Sequence, residues 1–248
     1  MSTAYFLVAH GSRDPRPQLA LEQLAEQLRL TLPEANSIVI GTGILECAAL
    51  SLSQQIQQFA DTIRPKRISQ IKILPLFLLP GVHVKEDIPV EVAIAQQILG
   101  EEVTLEVLPY IGSYIENMIQ VLANQKTLLT VDAWILMAHG SRRKGGNYPI
   151  ELLAEKLGMI PAYWSVAPDL STQINLLIQQ GYSKIGVLPY FLFTGGITDA
   201  IAQLLQDLSQ QFIEIELVLA TPLDQTTALR DLTQGLLLNE IENNIKVI

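Results

Sequence analysis

The sequence predicts an α/β protein built from two tandem domains, each a parallel four-stranded sheet flanked by helices. Three observations predict it. Short runs rich in Val, Ile and Leu alternate with longer amphipathic stretches along the chain. The short runs are almost continuously apolar, as strands covered on both faces are. The chain also repeats itself: YFLVAHGSRDPR at 5–16 returns as WILMAHGSRRKG at 134–145, and ILPLFLLPGV at 73–82 returns as VLPYFLFTGG at 187–196. Two echoes in the same order indicate a duplication. The halves fall at 1–125 and 126–248, with the polar stretch Ala123 to Thr130 as the junction.

In the first half Tyr5–Ala9, Ser37–Leu45, Ile71–Leu79 and Thr104–Pro109 read as strands. Between and after them, Pro17–Leu30, Leu50–Ile63, Ile88–Leu99 and Ser113–Leu122 carry apolar residues at helical spacing. The second half repeats the pattern, with strands at Trp134–Ala138, Ala162–Val166, Lys184–Phe193 and Glu214–Ala220. The order βαβαβαβα implies a parallel sheet, and in such sheets ligands sit beyond the carboxyl ends of the strands. Both repeated motifs lie at those ends. His10 and His83 therefore converge on one rim from two strand ends.

Composition limits the function. A net charge of -9 excludes nucleic acid as a bulk partner. The start MSTAYFLVAHGS lacks the features of a signal peptide, and residues 73–84 are too short and Pro-broken to span a bilayer. A soluble cytoplasmic protein with no membrane partner is expected. With one cysteine, Cys47, the chain has neither an internal disulfide nor the ligands for an iron-sulfur cluster. Any metal must be met by His, by carboxylates or by the substrate.

Two readings are open for His10: a histidine whose ring bonds a backbone carbonyl, or a ligand beside Gly11, which lets a substrate approach, and Ser12, which can cap the next helix. His83 follows the stiff Pro80-Gly81 turn, and sheet packing does not require a histidine there. Two imidazoles on one cleft make an open site for Fe²⁺, Co²⁺, Ni²⁺ or Zn²⁺. Two ligands suit an ion held briefly and handed on. Glu46 points to the same rim as a carboxylate for ion or substrate, or as a solvated loop acid. In the second half His139 matches His10, Ile197 stands for His83 and Val166 for Glu46. Chemistry is thus expected in the first half, with His139 an auxiliary contact or a structural relict. Arg13, Arg16 and Lys85, with Arg142, Arg143 and Lys144, would line the loops with positive charge for a polycarboxylate, or are ordinary solvated charge.

The strings VAHGSRDPR, GILE and PLFLLPGVHVKEDIP resemble the sirohydrochlorin chelatases of the class II chelatase superfamily, over nearly the whole chain. The resemblance implies two tandem chelatase-like domains of flavodoxin/Rossmann-like build with an active-site cleft between them. It implies a ferrochelatase that inserts Fe²⁺ into sirohydrochlorin to give siroheme, or the corresponding cobalt or nickel enzyme. His10 would be metal ligand and base, His83 the second ligand, Glu46 a substrate or proton-relay contact, and Leu78, Leu79, Pro80, Gly81 and Val82 the loop against the macrocycle. Arg13, Lys85 and His139 would be auxiliary. No permanent cofactor is implied, and one chain would suffice as an internal pseudo-dimer. From a different class, a non-catalytic tetrapyrrole or metal carrier would bind product without accelerating its formation. A histidine phosphatase would need a different residue than Ala9 beside the first histidine.

Overall fold

The computed structural model describes residues 3–32 and 38–246. The first sheet contains β1 (Thr3–Ala9), β2 (Val39–Ile44), β3 (Gln70–Pro75) and β4 (Thr104–Val107), and the second β5 (Ala133–Ala138), β6 (Ile160–Tyr163), β7 (Lys184–Pro189) and β8 (Glu216–Leu219). The helices are α1 (Arg16–Thr31), α2 (Leu52–Ile63), α3 (Ile88–Leu99), α4 (Ile115–Lys126), α5 (Tyr148–Leu157), α6 (Leu170–Gln179), α7 (Gly196–Gln211) and α8 (Ala228–Lys246). Strand orders are β2-β1-β3-β4 and β6-β5-β7-β8, and all pairings are parallel. Each sheet therefore carries the expected doubled architecture. No helix among the described residues is long and apolar enough to cross a membrane.

In the first sheet Ala4, Phe6, Val8, Ile71 and Ile73 pack against Leu52, Ile56 and Ala60 of α2 and Ile88, Val92 and Ala95 of α3. Strand ends differ from the sequence reading. β3 stops at Pro75 rather than Leu79 because the chain leaves the ladder: Leu76 N–H still donates to the Val8 carbonyl at 2.7 Å, but the Phe77 carbonyl accepts from Gly112 N–H at 2.9 Å. The apolar run continues because Leu76 is buried and Phe77 packs on the core. β7 likewise stops at Pro189, and Phe191 packs on its own core. β6 ends at Tyr163, not Val166. Ser37, the expected start of β2, lies outside the described residues.

The compact units are Met1–Tyr114 with Arg230–Ile248, and Ile115–Leu229. The expected division at 125/126 is thus displaced by an exchange of last helices: α4 belongs to the second unit and nearly all of α8 to the first. One row across each sheet gives a physical reason. In the first unit Tyr5, Lys72 and Glu106 are register neighbours, and Lys72 Nζ meets Glu240 of α8 at 2.5 Å and Glu106 at 3.7 Å. Lys72 is buried, so the exchanged helix brings the carboxylate that a buried ammonium needs. Burial, reinforced by Glu240 and Glu106, pushes the Tyr5 phenol far above its ordinary range. In the second unit the same row is Trp134, Gly186 and Val218, where the Trp134 ring lies over Gly186. α4 adds Met118 and Leu122 to that unit's interior, and Gln125 Nε2 donates to the Thr221 carbonyl. The polar row is served by α8 and the apolar row falls in the unit served by α4.

Candidate functional site

The AHG motif ends β1, and its glycine is dictated by the chain that crosses it. Gly11 has φ +93°, and a Cβ there would lie 2.0 Å from the Glu46 carbonyl oxygen. Only glycine tolerates both conditions. The close approach is locked by Glu46 N–H donating to the His10 carbonyl at 2.8 Å, which seats Glu46 beside His10. Ser12 does not cap α1: its Oγ accepts from Asp14 N–H, and Asp14 in turn accepts from Arg16 N–H. Asp14 also holds the Arg16 guanidinium. Arg13 and Lys85 are exposed and, among the described residues, pair with no carboxylate.

His83 arrives by another route. After β3 the loop Leu78–Val82 is half-buried, with Gly81 N–H donating to the Leu79 carbonyl at 2.9 Å. His83–Asp87 then form one widened, π-helical turn in which Ile88 N–H donates to the His83 carbonyl. His83 is therefore the first residue of a bulged helix start rather than part of a loop. Such bulges are frequent at functional sites.

The three side chains converge. His10 Nε2 lies 4.0 Å from one Glu46 oxygen and His83 Nε2 3.8 Å from the other. The imidazole centroids are 4.7 Å apart and nearly perpendicular, with Phe77 at 6.2 Å from each. One donor atom from each of His10, Glu46 and His83 falls within 4.8 Å of the others, a group that could hold a metal ion. The His–Glu separations are too long for hydrogen bonds. An ion about 2.1 Å from each donor would need them roughly 3 to 3.4 Å apart, so a small inward movement closes the set. Side-chain exposures of 53% for His10 and 50% for Glu46 leave the group open to solvent. Two imidazoles and a carboxylate with free positions suit a divalent transition metal.

On the far sides of the rings, His10 Nδ1 is 3.0 Å from the Gly11 carbonyl and His83 Nδ1 is 2.7 Å from Asp87 Oδ2. Sequence reasoning missed Asp87 and Phe77. The i,i+4 pair in HVKED was the available signal for Asp87; nothing in the apolar run singled out Phe77.

The second unit lacks this set. Ser165 N–H donates to the His139 carbonyl at 2.9 Å, so Ser165, not Val166, occupies the Glu46 position. Tyr163 pairs with Ala138 as Ile44 pairs with Ala9, so the second residue past the strand is Ser165 where the first half has Glu46. Gly140 repeats Gly11, with φ +80°, against Tyr163 and Val166. Ile197 stands in the His83 position, and α7 starts without a widened turn.

The CbiX family model matches residues 4–126 and again 133–238. A sirohydrochlorin ferrochelatase of Priestia megaterium is 28% identical over 230 residues, covering 85% of this chain and 82% of its own. A sirohydrochlorin cobaltochelatase of the same organism is 27% identical, covering 86% of this chain and 72% of its own. A structure of SirB from Bacillus subtilis with Fe³⁺ superposes with a TM-score of 0.75 at 19% identity, covering 95% of this chain and 94% of that one, which shows a shared fold. Matched twice over most of its length, the chain belongs to the CbiX family.

Proposed function

We propose that the chain is a sirohydrochlorin chelatase whose working ion is Fe²⁺, and that His10, Glu46 and His83 receive that ion as substrate. The observation that carries this reading is their convergence at the strand ends of the first unit. Membership of the CbiX family and the names of its relatives support the tetrapyrrole as the second substrate.

Insertion exchanges one M²⁺ for two pyrrole N–H protons, and the ion must shed its waters stepwise as ring nitrogens replace them. An open three-donor site does this better than a closed cage, because it leaves coordination positions for the incoming nitrogens. His10, the more exposed of the two imidazoles, takes a pyrrole proton as it releases the ion, since the ring nitrogen that leaves the metal is free to act as a general base. His83 is the second ligand. Glu46, between them, is the third donor and passes the second proton to solvent. The half-buried loop Leu78, Leu79, Pro80, Gly81 and Val82, beside Phe77, offers apolar surface to one face of the macrocycle. Arg13 and Lys85 pair with its carboxylates. Two copies of the family fold in one chain support a monomer as the working unit.

Cobalt is the second reading, favoured by the cobaltochelatase relative at nearly the same identity. Anaerobic absorbance of sirohydrochlorin with equal Fe²⁺, Co²⁺ or Ni²⁺ decides. Fe²⁺ insertion fastest of the three and above the uncatalysed rate supports the proposal; Co²⁺ fastest transfers it to cobalt. Binding of product with no acceleration for any ion identifies a carrier and overturns it.

A further inference from the structure

We infer that Asp87 is a positioning residue: its carboxylate accepts the Nδ1–H of His83 and fixes that ring with Nε2 turned toward the space shared with His10 and Glu46. The inference deepens the reading above and rests on it for its role in metal insertion.

Asp87 sits at the N-terminus of α3, where an aspartate ordinarily caps the helix. Here it makes no side-chain cap. Its Oδ2 turns instead to His83 Nδ1 at 2.7 Å, a hydrogen-bond distance. Neighbouring acids are used differently. Glu91, one turn on, accepts from Ser53 N–H at the start of α2, and Glu86 is exposed. Asp87 is thus the carboxylate of this segment aimed at a candidate ligand.

The duplicated half shows that the arrangement is an addition to the scaffold. Leu76 and Tyr190 make the same backbone bond, to the Val8 and Met137 carbonyls. From these anchors the first buried apolar residue of the helix is Ile88 in one half and Ile201 in the other, followed by Val92 and Ala95, or Leu205 and Leu208. Ile88 stands twelve positions after Leu76 and Ile201 eleven after Tyr190. One extra residue lies in the turn that carries His83 and Asp87, and the widened turn absorbs it. His10 is steadied by an adjacent carbonyl; His83 is held by a charged acceptor. A carboxylate on the far nitrogen fixes the tautomer and makes the ring a better donor to metal.

The test uses the full chain. With three histidines, long-range ¹H–¹⁵N spectra near pH 8 resolve each imidazole. Wild type should show His83 protonated on Nδ1; Asp87→Ala should shift it toward Nε2–H, and Asp87→Asn, which keeps an acceptor oxygen, should largely restore it. Titration with Co²⁺ alone, without tetrapyrrole, should show affinity weakened about 10- to 100-fold in Asp87→Ala and much less in Asp87→Asn. A wild-type His83 protonated on Nε2 overturns the inference, as does Asp87→Ala with unchanged Co²⁺ affinity. The wild-type spectrum is decisive even where the alanine variant fails to fold. If the pairing holds and sirohydrochlorin is not metallated, the chelatase reading falls while the positioning of His83 stands.

Discussion

The strand-end rims of the two halves differ where chemistry is needed and agree where folding is needed. Both keep the His-Gly pair after the first strand, with positive-φ glycines under a crossing chain and the same backbone bonds from the next strand. Glu46 is replaced by Ser165, His83 by Ile197, and the widened turn by a regular helix start. The scaffold therefore accounts for AHG but not for Glu46, His83 or Asp87. One row across each sheet shows a second divergence: Tyr5, Lys72 and Glu106 in one, Trp134, Gly186 and Val218 in the other.

The comparison breaks most visibly if the first rim is disarmed. His10→Ala should lower the rate of metal insertion by at least about 100-fold, measured by anaerobic absorbance. Glu46→Gln should follow, raising KM for the ion about tenfold with a smaller change in KM for the tetrapyrrole. In the first sheet, Glu240→Ala removes the nearer of the two carboxylates from the buried Lys72 ammonium and leaves Glu106 at 3.7 Å. It should cost about 2 to 3 kcal/mol in urea unfolding, somewhat less than a fully orphaned buried charge. Transplanting the set as Ser165→Glu with Ile197→His should create at most a weak second Co²⁺ site, roughly tenfold poorer than the first, because the turn is not widened and Ile201, not an acid, stands four residues on, as Asp87 does from His83. Equal affinity at both sites in a calorimetric titration would show that the extra residue is irrelevant.

Much of this was legible in the sequence because duplication supplied an internal control. Eight strands and their alternation with helices followed from apolar runs, and His10, Glu46 and His83 from their places at strand ends. Three things were hidden. The ends of β3 and β7 were overrun because Leu76, Phe77 and Phe191 stay apolar to pack the core after leaving the ladder. The helix exchange brings Glu240 to Lys72, a pairing between distant stretches that local periodicity cannot register. The role of Asp87 depends on a one-residue bulge, visible only when both helices are aligned by their buried faces.

The most direct measurement compares His83→Ala with His139→Ala in the same anaerobic Fe²⁺ insertion assay. The account predicts at least about a 100-fold loss for the first and no more than about fivefold for the second, the scale of an exposed contact. Equal losses, or the greater loss in His139→Ala, would contradict it.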